Sequence, residues 1–259
     1  MSRAKLLAWQ LGVGALMLLA WHVATVYPIF GQPRQVQFFF STPLDVGARV
    51  VREFSGADIW RHLSVTLQET VLAFVFGAGG GVAIGFLFAR NDLLAAIFDP
   101  YIKAANALPR VVLAPIFALW FGLGIWSKVA LGFTLVFFIV FFNVYQGVRE
   151  VSPVVLANAR MLGMNGRQLL RHVYWPAALT WMFSSLHTSV GFALVGAVVG
   201  EYLGSSAGLG YKIHEAESVF DVTGVFAGMA ILAVFVIAID AVVTLVENRL
   251  LAWRPGPQR

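Results

Sequence analysis

Apolar residues run along this chain in blocks of about twenty, separated by shorter polar or proline-containing stretches, rather than alternating or recurring as one narrow stripe. A block of roughly 20 apolar residues is the length of a helix that crosses a hydrocarbon core of about 30 Å. The blocks predict helices over about 6–27, 63–89, 104–121, 126–147, 177–199 and 222–246. The expected fold is therefore an all-α integral membrane protein of about six transmembrane helices, a single transmembrane domain over 1–259.

Composition strengthens this reading: 59% of residues are hydrophobic and 12% charged, too apolar for one water-soluble core. The basic excess, +5 overall, is scattered and gathers at the ends of apolar blocks, so it points to membrane topology and a lipid bilayer and not to nucleic acid. With the N-terminus inside, ten Lys and Arg fall on the cytoplasmic side and six outside, an N-in/C-in arrangement. The absence of cysteine removes disulfides and thiol chemistry. The first block is longer than a signal core and is expected to be a retained anchor.

Two connections are long: an outer loop over about 28–62 with Pro28, Pro33 and Pro43, and an inner segment over about 149–176 rich in arginine. In the inner segment, Ser152-Pro153 is a helix start, Gly163 a left-handed stop and Asn165 a second cap. That predicts a helix-turn-helix on the cytoplasmic surface whose apolar residues are Val154, Val155, Leu156, Met161 and Leu162, with Leu156 and Met161 or Leu162 as the anchors, suited either to lipid or to a groove on a soluble partner. Gly77, Gly81 and Gly85 recur every fourth residue and make a close-packing face. No nucleotide-binding loop motif accompanies them, so any ATP must be bound by another chain. Asn106, Pro109 and Pro115 interrupt the third helix and predict a kink that lines a pathway or serves packing. Glu69 and Asp240 are the ionisable residues expected within spans, each paired with a neighbouring helix or reaching an interface. The five histidines have no ligand spacing, and no catalytic set or metal site emerges.

The inner segment carries Ala157-Asn158-Ala159, then Gly163, then Val173 and Trp175-Pro176, which resembles the cytoplasmic signature of ABC importer permeases with its glutamate replaced by Ala157. Further stretches over about 40–253 extend the resemblance: Ser41-Thr42-Pro43, His62 to Leu67, Asp99-Pro100, Leu108-Pro109, Pro115 through Gly124, Glu201 with Gly208-Leu209-Gly210, and Glu247 to Trp253. The chain is thus similar to the permeases that import sulfonates, taurine, nitrate and thiamine-precursor pyrimidines. The resemblance implies an ABC importer permease fold in a bacterial cytoplasmic (inner) membrane and a homodimer. It also implies cytoplasmic ABC ATPase subunits that hold ATP and Mg, and an extracytoplasmic substrate-binding protein. It implies coupling to the ATPase through Leu156, Ala157, Asn158, Ala159, Met161, Leu162, Gly163, Val173 and Pro176; beside it, the kink at Asn106, Pro109 and Pro115, and Glu201 with the Gly208-Leu209-Gly210 turn at the outer mouth after helix five, are the candidate pathway residues. No cofactor and no catalysis are expected of this chain. A stand-alone channel or secondary transporter, or a membrane anchor for other proteins, is the competing expectation.

Overall fold

The computed structural model describes residues 2–27 and 31–250, and it is helical with no strand among the described residues. Pro28, Trp253, Arg254 and Arg259, which entered the sequence reading, lie outside them. Four helices are long and apolar enough to cross a membrane: α1 (Arg3–Val26), α4 (Asp58–Ala89), α7 (Ile125–Arg149) and α13 (Val222–Leu250). Between α4 and α7 lie α5 (Asp92–Ala107), a 3-10 turn (Arg110–Leu113) and α6 (Ala114–Phe121), which make a fifth candidate crossing bent by 88°.

The centre of the bundle is the contact of α4 with α7, and the glycine stripe makes it. A methyl group on Gly77 would lie 2.6 Å from Val136 Cβ, one on Gly81 2.8 Å from the Phe137 carbonyl, and one on Gly85 2.8 Å from the Phe141 carbonyl. Only hydrogen fits at these positions, so the two backbones approach closely. Buried Ala73, Val136, Val140 and Val144 close the seam. Contacts 77 to 136, 81 to 140 and 85 to 144 advance in the same direction, so α4 and α7 are parallel. The bent pair must therefore return the chain from the end of α4 to the start of α7. The glycine face serves packing inside the chain.

From the far end of α7 the chain turns through α8 (Pro153–Met161), a single helical turn α9 (Gly166–Leu169) and a π turn (Leu170–Tyr174) into α10 (Trp175–Ser184) and α11 (Leu186–Leu203). Gly147 meets Trp181, Gly132 meets Ala193, and Gly200 meets Lys128, so α10 and α11 run antiparallel to α7. Here the structure departs from the continuous span expected over 177–199. It divides at Ser185, whose amide donates at once to the Trp181 carbonyl at 3.2 Å and to the Met182 carbonyl at 3.1 Å. Pro176 is the second residue of α10 and follows the π turn without a break.

Two further expectations are corrected. The third helix begins at Asp92, not near 104, and is broken at Leu108-Pro109 where a kink was expected. The outer loop is mostly helical, with α2 (Pro33–Phe40) and α3 (Pro43–Ser55), and its last residues already belong to α4. Thr42 caps α3 by accepting from the Asp45 amide at 3.2 Å. Arg49 of α3 reaches Asp221 at 3.6 Å, and α12 (Leu209–Ser218) sits between α4 and α13, so α2, α3 and α12 cover one end of the bundle.

Candidate functional site

At the opposite end, the segment after α7 is built by its capping chemistry. Ser152 accepts from the Val154 amide at 3.3 Å, and Pro153 occupies the first turn of α8. Gly163 has φ +78°, which lets the Met164 amide reach back to the Ala159 carbonyl at 3.1 Å and end the helix. Asn165 then caps α9, with Gln168 returning a bond to the Asn165 amide at 2.8 Å. These bonds fix which side of α8 faces the bundle: Ala159 is buried and Leu156 half-buried. Val154 with Met161 and Val155 with Leu162, each pair seven residues and so two turns apart, are exposed. Met161 is 85% and Leu162 80% exposed, about as bare as side chains of that size become. Ala157, Asn158 and Pro176 are exposed, Val173 is half-buried, and Arg160, Arg167 and Arg171 rim the segment. Of the five apolar residues read from the sequence, Val154, Val155, Met161 and Leu162 are exposed and Leu156 alone is half-buried.

A second feature is the elbow between α5 and α6. Proline at 109 has no N–H to continue the helix, leaving carbonyls at the end of α5 without partners. Arg110 supplies them: its Nη1 donates to the Asn106 carbonyl at 2.5 Å and to the Leu108 carbonyl at 2.6 Å, and Nη2 to Asn106 Oδ1 at 2.8 Å. The guanidinium lies 4.9 Å from the ring centre of Phe138, which is close to the midpoint of α7. Asn106, Leu108 and Pro109 are exposed on this chain, and Pro115 lines a cavity of about 560 Å³ with Leu119, Ser127 and Gly200. Asn106, Pro109 and Pro115 therefore share the elbow region, whereas Glu201 does not join them.

Glu201 is fully buried. Its Oε1 accepts from Thr66 Oγ1 at 2.6 Å and its Oε2 from the Gly210 amide at 2.7 Å. The Leu209 amide donates to Thr66 Oγ1 at 2.9 Å, and the Gly208 amide to His62 Nδ1 at 2.9 Å. Gly208, at φ +111°, brings its backbone against the Glu201 carboxylate where a side chain would collide. Glu201 ties α4, α11 and the 208–210 turn together. Buried Glu69 and Lys128 complete the cluster, with Lys128 Nζ donating to the Leu123 carbonyl at 2.6 Å. Asp240 pairs with His187 of α11 at 3.1 Å, and Glu247 bonds the other ring nitrogen at 2.8 Å. Thr66 and His62 are the members of these ties that sequence spacing could not reveal, because their partners at 201, 208 and 209 lie far along the chain.

Residues 81–252 match the model of the family described as binding-protein-dependent transport system inner membrane component. The chain is 33% identical over 213 residues to the putative aliphatic sulfonates transport permease protein SsuC of Bacillus subtilis, covering 82% of this chain and 77% of that protein. It is 31% identical to the formylaminopyrimidine transport permease protein ThiX of Halalkalibacterium halodurans, covering 92% and 93%. It is 27% identical to the taurine transport system permease protein TauC of Escherichia coli, covering 94% and 89%. Among solved structures, an inward-facing conformation of the MetNI methionine ABC transporter has the same fold, with TM-score 0.58 and 17% identity over 75% of this chain and 93% of that one.

Proposed function

From the chain's membership of the family of binding-protein-dependent transport system inner membrane components, as an ABC importer permease of the sulfonate, taurine and thiamine-precursor type, we propose that it forms half of an ATP-driven import pathway and docks its ATPase on α8. The observation that carries this reading is the bare stripe of Val154, Val155, Met161 and Leu162 on a firmly capped helix outside the long apolar helices. Apolar side chains this exposed, ringed by arginines, fit a groove on a soluble partner. ATP and Mg reside on that partner, and this chain does no covalent chemistry. Closure of the ATPase pair moves α8, and through the π turn α10 and α11, so the bundle alternates between two openings.

Two copies enclose the pathway in this reading. Asn106 and Arg110 are polar groups at the middle of the bundle with no cover from their own chain on the elbow side, and such groups are placed against water or protein and not against lipid tails. The cytoplasmic membrane of a bacterium is the setting. Both termini and α8 lie in the cytoplasm, and α2, α3 and α12 form the outer end, where an extracytoplasmic binding protein delivers a small organic anion such as a sulfonate, or a related aromatic or pyrimidine compound. A cysteine at Ser206, beside the Gly208 turn, reacts under this arrangement with an impermeant thiol reagent added outside; labelling from the cytoplasmic side alone would reverse the topology.

The function itself is tested by purifying the chain with an ATPase and a binding protein from the same genome. The expected particle contains two copies of this chain and two ATPases, and ligand-loaded binding protein raises its ATP hydrolysis severalfold. A single permease copy per particle, with hydrolysis indifferent to the binding protein, would contradict the proposal.

A further inference from the structure

Resting on the pathway reading above, we propose that Arg110 presents an uncompensated positive charge to the pathway at the elbow between α5 and α6, and that it favours passage of small anions bearing a carboxylate, sulfonate or phosphate group. Guanidinium carries five N–H donors in a fixed plane. Three are committed, two at Nη1 and one at Nη2, to the Asn106 and Leu108 carbonyls and to Asn106 Oδ1. Nη2 keeps a second N–H, and Nε is buried without a hydrogen-bond partner. Nε is shielded from a solute, so the elbow offers an anion the charge of the guanidinium and the remaining Nη2 donor.

Among the described residues Arg110 enters no ion pair. The nearest acid before it in sequence, Asp99, is held by Lys103 at 2.7 Å. Capping the end of α5 explains the carbonyl bonds, but a neutral amide donor would serve that purpose. It does not explain a full positive charge level with the middle of α7, where an ionised group without a counter-charge is costly. An anionic cargo supplies the counter-charge as it passes. The exposed neighbours Leu108, Pro109, Val111 and Val112 leave the approach apolar, so the guanidinium and Asn106 are the polar groups that a solute meets there.

The chain has no cysteine of its own, so Leu108→Cys places a single thiol beside the guanidinium. In the complete complex with its ATPase, in lipid nanodiscs, that thiol is reacted with the anionic 2-sulfonatoethyl and the cationic 2-(trimethylammonium)ethyl methanethiosulfonates. The anion-to-cation rate ratio is expected to exceed the ratio for free glutathione by about tenfold at low salt. It should fall to the glutathione value in Leu108→Cys with Arg110→Gln, and stay within about twofold of the parent with Arg110→Lys. A reactive thiol whose ratio equals that of glutathione while Arg110 is present overturns the inference and leaves the pathway reading standing. A thiol that reacts with neither reagent in any nucleotide state overturns the pathway reading as well. The glutathione comparison needs no variant at Arg110, so it decides the matter even if Arg110→Gln fails to accumulate.

Discussion

Gly81→Leu is expected to eliminate the folded protein from the membrane. Even the first carbon of the new side chain would lie 2.8 Å from the Phe137 carbonyl oxygen and 3.0 Å from the Phe141 amide nitrogen, and these are backbone atoms that no rotamer change can move. Adding bulk to a packed interior costs about 1–3 kcal/mol when side chains can give way. Here α4 and α7 must part, and the contacts at Gly77 and Gly85 loosen with them. The yield of monodisperse protein after detergent extraction should drop at least about tenfold, on the order expected for a loss of more than 1.4 kcal/mol. Gly79→Leu is the control, because a Cβ at Gly79 meets nothing within 4 Å. Equal, wild-type yields for both variants would mean that the parallel α4–α7 seam does not hold the bundle together.

That seam was legible before any coordinates, since three glycines at spacing four announce a close approach, although spacing alone could not say whether the neighbour was α7 or a second copy. The caps at Ser152, Gly163 and Asn165 were equally legible, because each acts within a few residues of itself. The first half of the third helix was not. Asp92, Asp99 and Lys103 dilute its apolar pattern, yet they are answered locally or at the bundle end, by the Asp99–Lys103 pair and by Arg149 at 3.2 Å from Asp92. The role of Glu201 depends on Thr66, 135 residues away, and no local pattern records such a bond. Arg110 closes the broken end of α5, a role that nothing in the apolar pattern around it announces. On α8 the residue types were readable but the facing was not: Leu156 and Leu162 are equally apolar and each stands three residues from buried Ala159, and only the fold shows that Leu156 is half-buried and Leu162 exposed.

Leu162→Arg is expected to separate the permease from its ATPase while leaving the permease itself intact. At 80% exposure Leu162 contributes little to its own fold, so its replacement should not change membrane yield. Buried in a groove, a leucine side chain contributes about 1.5–3 kcal/mol. Replacing it with an arginine loses that contribution and places an unpaired charge in the groove, a further cost of several kcal/mol. A total beyond about 2.7 kcal/mol weakens docking more than a hundredfold. Leu156→Arg provides the contrast, because that side chain is half-buried against its own chain and should lower permease yield before any effect on docking is read. The decisive measurement is the amount of ATPase retained per permease when wild type and Leu162→Arg are purified from equal membranes through a tag on the permease. The account predicts normal permease recovery with ATPase retention near background for Leu162→Arg; wild-type retention with undiminished stimulation of ATP hydrolysis would show that α8 is a lipid-surface connector and that coupling lies elsewhere.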